Sequence, residues 1–574
     1  MALEGRLSDR LRALALYRES GVFSSSFPLA IIAFMKVVLA GINARYTHST
    51  PALYCLRGAI EEAWRRSGLS GKLTIKEYYT SQDRLGIVQD IVLSAPEALL
   101  LSVYIWNGEL IGRLLSDLRA LLPSCRIILG GPEVSYVAEA WISLHPEIDL
   151  IVRGAGEEAI ARLAAAEFDT SIFGTKTPSI APLDFGSQAF AYRDSDFFGL
   201  EHRYIYYESS RGCPFSCSYC LSSRSDQALV AKESAVVIAE LELLLAHDPL
   251  LVKFVDRSFN ADPARAREIW RWLIEHERDK RTRFHFELHP GLLGEDDYSL
   301  LDSAPPGLFQ FEIGIQTIHA RTRALIGRGG HFESERAAII RLAASGAFHL
   351  HLDMIVGLPG EGMEEISASF DAIALLAEAA ALEGSASKAT GIAFKAEGSA
   401  TNAAASTSTA SAPARGHSAC AEAIDSRQKA LSNRQLAHGA SSSGAFSAGS
   451  RDCLFQIGFL KGLPGTRLRE EADRYGMVFQ SSPPYEILKS DRLSVERLIE
   501  LGRIEELYEA IGPSGKLAQT MRRAREGSES GEVSLFQLYR ELQEYCGRAG
   551  FDIRTRNEPK LTVLLEAWLA EREA

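Results

Sequence analysis

The chain has 574 residues, of which 46% are hydrophobic and 24% are charged, and its formal net charge is −12. This composition is ordinary for a soluble globular protein and leaves room for about three or four domains. The acidic balance argues against a nucleic-acid backbone as the main partner, and no apolar run approaches the ~18–20 residues that a membrane span needs.

The N-terminal part of the chain predicts a Rossmann-like α/β domain. Met35 stands directly before a convincing first strand, so we interpret residues 1–34 as a leader or a misassigned start without a function. From 36 to 167 strand-like and helix-like patterns alternate. Continuous apolar strands separated by helices predict a parallel sheet covered on both faces. The strand-like runs are 37–40, 98–103, 126–129 and 150–152.

Two turns of this domain follow strand-like runs, and parallel sheets bind their ligands beyond the carboxyl ends of the strands. One turn begins at Ser102 and the other at Gly130-Gly131. They resemble the cobalamin-binding domain that often precedes a radical S-adenosylmethionine (SAM) barrel, where a serine and paired glycines line the nucleotide tail. The resemblance implies cobalamin as a cofactor, bound by Ser102, Gly130 and Gly131. Alternatively, the glycines only allow a tight strand-to-helix turn.

The chain departs from that family at the lower ligand of cobalt. The D-x-H-x-x-G motif, whose histidine ligates cobalt from below, is absent, and cobalamin-dependent radical SAM enzymes often lack that histidine. His48 is the nearest substitute, but it has neither the Asp before it nor the Gly after it. We therefore expect no histidine of this chain beneath cobalt, and a surface or capping role for His48.

After a linker at 168–201, three of the eight cysteines fall on one short stretch, as Cys213, Cys217 and Cys220. A strand-like run precedes them, so they lie on the loop that leaves a strand. Soft thiolates on one loop can converge on a single metal centre. Zinc usually wants a fourth Cys or His nearby, and the next cysteine is Cys420. Three thiolates suit a [4Fe–4S] cluster with one free iron; a closed zinc site and an accidental grouping are the alternatives.

With aromatic Tyr219 before the last cysteine, the motif reads C-x3-C-x-Φ-C and resembles the radical SAM superfamily. The resemblance implies a cluster held by the three cysteines, whose free iron chelates SAM. It also implies a partial (β/α)6 barrel over 202–480 with its active site at the strand carboxyl ends. Six strand candidates fit that barrel: 204–209, 251–255, 283–288, 310–316, 348–356 and 454–460.

Polar side chains near the ends of these strands are the candidates for binding SAM. Asp256 follows the second strand, where the superfamily contacts the methionine amino group, and Glu287 ends the third. Glu312 and Gln316 share one face of the fourth strand because side chains alternate along a strand. We predict that these four residues bind the cofactor. For each carboxylate, an internal ion pair is the alternative.

The fifth strand of the barrel also carries polar residues on one face, namely His349, His351 and Asp353. Two histidines and a carboxylate at this spacing could ligate a metal. Inward polar layers of barrels, however, usually bind substrate or water, and we favour that interpretation.

Two further segments complete the predicted organisation. Residues 378–450 are rich in Ala, Ser, Gly and Thr, and such a composition buries too little surface to offset its ordering entropy. We interpret them as a disordered insert. Residues 485–574 have apolar spacings of three and four and predict a helical domain. This order resembles a family of cobalamin-type radical SAM proteins with a helical C-terminal domain.

The resemblance implies a radical SAM enzyme that reductively cleaves SAM to a 5′-deoxyadenosyl radical. With cobalamin bound, methyl transfer to an unactivated carbon is the leading reaction. The alternatives are a cobalamin-independent rearrangement, a non-catalytic iron–sulfur redox or sensor protein, and RNA modification. Methylthiolation of RNA usually needs a second cluster, for which Cys55 and Cys125 are too sparse.

The setting and the partners follow from the same observations. Eight cysteines, three in one motif and the rest scattered, do not look like a disulfide framework and indicate a reducing cytoplasm. We expect an external electron donor of the flavodoxin or ferredoxin type and an unidentified, small-molecule substrate. Neither a membrane nor a nucleic acid is expected as a partner.

Overall fold

The computed structural model describes residues 34–182, 185–224, 228–277, 281–396, 453–512, 515–526 and 533–573. The predictions for residues 1–33 and 397–452 lie outside these residues. Within them, no helix is long and apolar enough to cross a membrane.

The N-terminal domain is a five-stranded sheet in the order β2-β1-β3-β4-β5, and every pair is parallel. The order changes direction between β1 and β3, which is where open α/β sheets place their ligand crevice. Its strands are β1 (Phe34–Asn43), β2 (Ser70–Tyr79), β3 (Ala98–Ser102), β4 (Arg126–Gly130) and β5 (Leu150–Ile151). Its helices are α1 (Pro51–Ser67), α2 (Arg84–Leu93), α3 (Gly108–Leu121), α4 (Pro132–Ser135), α5 (Ala138–Leu144) and α6 (Glu157–Ala165).

The second domain is a six-stranded parallel sheet in the order β13-β12-β11-β10-β9-β6. Its strands are β6 (Ile205–Tyr207), β9 (Leu251–Phe254), β10 (Arg283–Leu288), β11 (Phe309–Gln316), β12 (His349–Val356) and β13 (Cys453–Phe459). A short hairpin of β7 (Ser210–Arg211) and β8 (Val230–Ala231) follows β6. The helices around the sheet are α7 (Phe197–Leu200), α8 (Ser234–Leu245), α9 (Pro263–His276), α10 (Glu295–Leu301), α11 (Ala320–Leu325), α12 (Phe332–Ala344) and α13 (Met363–Ala396). The structure confirms the predicted α/β fold with a partial barrel.

Alternation along the strands separates an apolar outer face from a polar inner face. Phe309, Phe311, Ile313 and Ile315 of β11 are fully buried, whereas the residues between them turn to the inside of the barrel. The aromatic rings of the outer face pack on α9 through Trp270. The burial of these rings is the main stabilising contribution of the outer layer.

The C-terminal helices pack on α13 and on the last strand of the barrel. After α14 (Arg467–Glu470) and a hairpin of β14 (Val478–Phe479) and β15 (Ile487–Lys489) come four helices. These are α15 (Val495–Ile511), α16 (Gly515–Glu526), α17 (Leu535–Ala549) and α18 (Glu558–Glu573). The Phe370 ring of α13 contacts Phe455, Tyr508 and Phe536. The predicted helical C-terminal domain is thus confirmed.

The predicted start of the insert at Glu378 is wrong. Helix α13 continues through this residue to Ala396, and Ala380 is buried. The Glu378 carboxylate accepts a hydrogen bond of 3.0 Å from Arg525 of α16. The composition of the segment did not reveal this contact, because a short run of alanines is compatible with a helix as well as with a disordered insert.

The carboxyl edge of the first sheet faces the second domain. His48, which follows β1, shares a hydrogen bond of 2.5 Å with the Tyr206 hydroxyl of β6. Glu133, which follows β4, accepts a hydrogen bond from the Tyr485 hydroxyl. Glu157, which follows β5, pairs with Arg211 at 2.9 Å. Two of the loops that bind ligands in such sheets therefore contact the barrel domain, and the third contacts the start of the C-terminal segment.

Candidate cluster and cofactor site

The three cysteines of the motif lie together on the loop after the β7 strand. Cys217 is buried, Cys213 and Cys220 are partly exposed, and all three are free thiols. Burial raises the pKa of the Cys217 thiol, while the Arg328 guanidinium and a hydrogen bond from Tyr219 lower it. A cluster iron would replace the proton that this environment otherwise keeps on sulfur.

Contacts from distant parts of the chain fix the shape of this loop. The Ser218 amide donates to the Ile326 carbonyl at 2.8 Å, and the Leu468 amide donates to the Ser218 carbonyl at 2.9 Å. The Ser223 hydroxyl donates to the Cys217 carbonyl at 2.6 Å and to the Cys220 carbonyl at 3.0 Å. The cysteine loop is therefore held in place by the barrel itself.

Asp256 lies just beyond the end of β9, and its carboxylate is engaged by other residues of the chain. It is 0% exposed, and its carboxylate accepts hydrogen bonds from the Ser209 amide and from the Ser209 and Ser210 hydroxyls at 2.6 to 3.0 Å. Both oxygens are thus engaged by the chain that leads into the cysteine loop. This placement favours a positioning role over direct contact with the SAM ammonium.

Glu287 lies at the carboxyl end of β10 beside Arg257, with 3.2 Å between their nearest nitrogen and oxygen atoms. Burial raises the pKa of Glu287 to about 7, and the Glu312 charge acts in the same direction, while Arg257 lowers it. Negative charge on Glu287, and on Cys220 and Cys213, raises the pKa of Arg257. It therefore links the carboxylate to the cysteine loop.

Glu312 faces the inside of the barrel, as strand alternation predicts, whereas Gln316 follows a register shift after Gly314. Burial would raise the pKa of Glu312, but a hydrogen bond from His285 at 3.0 Å and nearby positive charge lower it to about 2. Gln316 has a positive φ of 68°, and its amide nitrogen lies only 2.1 Å from where a Cβ of Gly314 would be. Gly314 is thus required for this side chain to fold back.

Arg328 at this edge was not predicted from the sequence, whereas His289 follows Glu287 at the predicted end of the third strand. Arg328 donates to the Gly314 carbonyl and forms a hydrogen bond with Cys217. His289 stacks on Phe215 of the cysteine loop, with 4.4 Å between ring centroids. The glycines around Arg328 were the available signal, because a glycine-rich turn after a barrel strand brings the backbone close to a neighbour.

In the N-terminal domain, Ser102 and Gly130 are cross-strand partners at the ends of β3 and β4. Gly131 has a φ of +106°, and a Cβ there would lie 2.5 Å from the Val103 carbonyl oxygen. The two loops therefore meet closely, with no side chain between them. Trp106 is 47% exposed beside them, and its indole nitrogen donates to the Ile42 carbonyl at 3.1 Å.

No three His, Cys, Asp or Glu side chains among the described residues are arranged to hold a single metal ion. This finding gives no support to a mononuclear zinc site at the cysteines, or to a metal site at His349, His351 and Asp353. A cluster makes a different demand, because each of its thiolates binds a separate iron.

Comparison with protein families assigns the two α/β domains. Residues 37–164 match the family model of the B12 binding domain, and residues 207–373 match that of the radical SAM superfamily. The chain belongs to the radical SAM superfamily, in the subclass that carries a B12-binding domain. Residues 473–573 match the model described as "Protein of unknown function (DUF4080)". The matches imply a [4Fe–4S] cluster, SAM and cobalamin as the cofactors of this radical SAM protein.

Two curated relatives share parts of the chain. The 2-(S-pantetheinyl)-carbapenam-3-carboxylate methyltransferase of Streptantibioticus cattleyicolor is 27% identical over 201 residues, which are 30% of this chain and 29% of the relative. The anaerobic magnesium-protoporphyrin IX monomethyl ester cyclase of Synechocystis sp. is 30% identical over 155 residues, which are 23% of this chain and 31% of the relative. The radical SAM protein thus spans less than one third of the length of these relatives.

A solved structure resembles almost the whole chain. The cobalamin-dependent SAM radical enzyme OxsB, with aqua-cobalamin and SAM bound, covers 94% of this chain and 80% of its own, with a TM-score of 0.57 and 12% sequence identity. At this identity the comparison shows a shared fold alone.

The described residues fit these cofactors. The cysteine thiols are free and held on one loop, as a site-differentiated cluster requires. Near it, Gln316 Oε1 and both ring nitrogens of His289 are buried without hydrogen-bond partners among the described residues, and a polar cofactor such as SAM would satisfy such atoms. In the first domain, Gly130 and Gly131 place no side chain beside Ser102 at the carboxyl ends of β3 and β4, which suits the nucleotide tail of cobalamin.

Proposed function

We propose that this protein is a cobalamin-dependent radical SAM methyltransferase that acts on an unactivated carbon of a small molecule. The contact between the two ligand-binding edges carries the proposal: the loops after β1 and β5 contact the barrel domain that holds the cysteine loop, and the loop after β4 contacts Tyr485 beyond it. Cofactors bound at both edges would share one space. When bound, a reduced cluster supplies the electron that cleaves SAM, and cobalamin supplies a methyl group.

The residues of the chain have separate tasks in this proposal. Cys213, Cys217 and Cys220 ligate the cluster, and Asp256 positions the loop that carries them. Glu287, Glu312 and Gln316 hold polar groups of SAM from the inner face of the barrel. Ser102, Gly130 and Gly131 line the cobalamin tail in the first domain.

The same proposal covers the organisation and the setting of the protein. We infer a cobalamin-binding domain over 36–167, a linker over 168–201, a barrel over 202–480 and a helical domain over 485–574. A cytoplasmic location and a donor of the flavodoxin or ferredoxin type suit an oxygen-sensitive cluster.

Ring closure is the second candidate reaction, and the similarity of the chain to a magnesium-protoporphyrin ester cyclase favours it. Both reactions begin with SAM cleavage and differ in whether a methyl group reaches the product. A sensor protein would hold the cluster without cleaving SAM.

The test is anaerobic reconstitution with iron, sulfide and cobalamin, followed by reduction in the presence of SAM. We expect about four irons per chain, slow release of 5′-deoxyadenosine even without substrate, and retention of cobalamin after desalting. Replacing any of Cys213, Cys217 or Cys220 by Ala should abolish both the cluster and 5′-deoxyadenosine, whereas Cys420→Ala is the matched control. A fully loaded wild type that never forms 5′-deoxyadenosine contradicts the enzymatic proposal, and failure to retain cobalamin contradicts methyl transfer.

A further inference from the structure

Five neighbouring strands of the barrel place one polar side chain each in a single row. The cross-strand partners are Tyr206, Lys253, His285, Gln310 and His349, one each from β6, β9, β10, β11 and β12. Partners in register project to the same face of a sheet, here the inside of the barrel. The row spans four strand spacings, about 19 Å. We call these five residues the donor row, because none is a carboxylate and each carries an N–H or O–H group.

The next row towards the carboxyl ends of the strands has the opposite character. Glu287, Glu312 and His351 are its cross-strand partners. Both carboxylates are already engaged, Glu287 by Arg257 at 3.2 Å and Glu312 by His285 at 3.0 Å. Negative charge therefore lies nearer the cysteine loop, and the donors lie deeper in the barrel.

Two members of the donor row have a side-chain nitrogen without a hydrogen-bond acceptor among the described residues. The Lys253 ammonium forms no ion pair or hydrogen bond within the described part of the chain, and its nearest described contact is the Tyr204 ring, 5.7 Å from its nitrogen. Burial lowers its pKa, which the more distant Glu312 and Glu287 charges oppose. Gln310 is 3% exposed, and its amide nitrogen is buried without a hydrogen-bond partner among the described residues.

A half-buried ammonium and a buried amide donor without acceptors are costly to the folded protein. An anionic group placed between them would compensate both, because charge-assisted hydrogen bonds are the stronger kind. His285 and His349 lie on either side of Gln310 in the row, and His285 is engaged by Glu312 and Gln310. The surrounding imidazoles remain largely neutral, since burial lowers the pKa of His285 and lowers that of His351 to about 3.

We propose that the donor row binds the anionic head group, a carboxylate or a phosphate, of the substrate. The body of the substrate then extends towards the carboxyl ends of the strands. The cysteine loop and the residues proposed to bind SAM, Glu287, Glu312 and Gln316, lie there. The identity of this anion as the substrate of the reaction rests on the proposed function. The binding of an anion by the donor row does not depend on that function. It defines the substrate as a small acid whose reacting carbon lies away from its charged end.

Three probes with the same hydrocarbon body test the head group: butyrate, butyl phosphate and butyramide. Each is titrated into the cluster-loaded protein without SAM or reductant, at constant ionic strength, and the midpoint of thermal unfolding is followed. We expect at least one anion to raise the midpoint saturably and the neutral amide to have no such effect. The stronger anion distinguishes a carboxylate from a phosphate head group. Equal effects of all three probes, or no saturable effect of either anion, would overturn the proposal.

Variants locate the site. Lys253→Met should weaken the apparent affinity for the better anion at least about tenfold, the effect of losing one charge-assisted hydrogen bond. Gln310→Leu tests the second unpartnered donor independently, and exposed Lys560→Met is the matched control. Iron content and the midpoint without probe establish that each variant is folded. Unchanged affinity in both Lys253→Met and Gln310→Leu would exclude the donor row. Because no SAM cleavage is measured, that outcome leaves the proposed radical chemistry standing.

Discussion

At the scale of single residues, Asp256 connects a barrel strand to the cysteine loop. Its carboxylate accepts three hydrogen bonds from Ser209 and Ser210, which precede the motif by a few residues. Removing a buried acceptor leaves donors unsatisfied, at a cost of about 1–3 kcal/mol for each. We therefore expect Asp256→Ala to lower both the iron content and the thermal stability, with exposed Asp296→Ala as the control. Normal iron content with weakened SAM binding would instead restore Asp256 as a SAM ligand.

His48, which contacts Tyr206 of the barrel domain, should make the stability of the protein sensitive to pH. Burial, with the charges of Lys253 and Arg45, lowers the pKa of His48 from 6.5 to about 4. Between these values the unfolded chain binds a proton that the folded protein does not, so stability falls as the pH falls through this window. Denaturant titrations of wild type and His48→Gln from pH 7 to 4 should show a shallower loss in the variant. Identical slopes would mean that His48 does not titrate in this way.

His48 is also the residue that matters for the prediction about the lower ligand of cobalt. Its Nδ1 lies 2.5 Å from the Tyr206 hydroxyl, and its ring packs against Tyr204 and Tyr206. An imidazole engaged by the barrel domain has one ring nitrogen left for any other ligand. The expectation that no histidine of this chain lies beneath cobalt stays a prediction.

At the scale of secondary structure, most strands were predictable from the sequence and strand β2 was not. The strands β3, β4 and β9 to β13 have either continuous apolar runs or clear alternation, and sequence patterns of this kind are the strongest signal. Strand β2 has mostly partly exposed residues and three charged or polar positions in its centre, so its pattern is weak. It pairs along its full length with β1, a long-range contact that no local pattern reveals.

The residues of the candidate site also fall into those that local sequence patterns predict and those that depend on long-range contacts. The cysteines and the inward faces of β11 and β12 follow from spacing and alternation within one element. Arg328 and His289 belong to the site through contacts with Cys217 and Phe215, which are far away in the sequence. Asp256 was placed correctly on its strand end, but its partners could not be predicted, because they depend on the course of a neighbouring loop.

Helix α13 sets the limit within which the insert can be removed. Residues 397–452 are rich in small residues, and shortening a loop changes its closure entropy by only ~0.6 kcal/mol per halving. We expect a chain lacking residues 400–448 to keep its iron content and its unfolding midpoint. Extending the deletion to include Glu378 should lower the midpoint, because the contacts with Arg525 and Arg522 are lost. Loss of iron in the shorter deletion would show that the segment contributes to the folded core.

At the scale of the whole molecule, Arg57 fastens the linker to the first domain. Its guanidinium forms a two-point pair with Asp196 at 2.5 and 2.6 Å, and both side chains are about nine-tenths buried. Breaking a buried pair leaves an uncompensated charge and costs about 3–5 kcal/mol. We expect Arg57→Ala to lower the free energy of unfolding by an amount of that order. Arg65→Ala, at an exposed pair with Glu62, should leave the free energy of unfolding nearly unchanged; equal effects of the two variants would contradict the role given to Arg57.

The donor row is built from strand interiors and owes its order to cross-strand register. A loop can lengthen or be exchanged without disturbing this row, whereas one residue inserted into β10 would turn His285 from the inside to the outside. Substrate preference in such a protein would then change by replacing single side chains at fixed register positions. Relatives with other substrates should therefore differ at the positions of Lys253, His285, Gln310 and His349 while keeping the lengths of their strands.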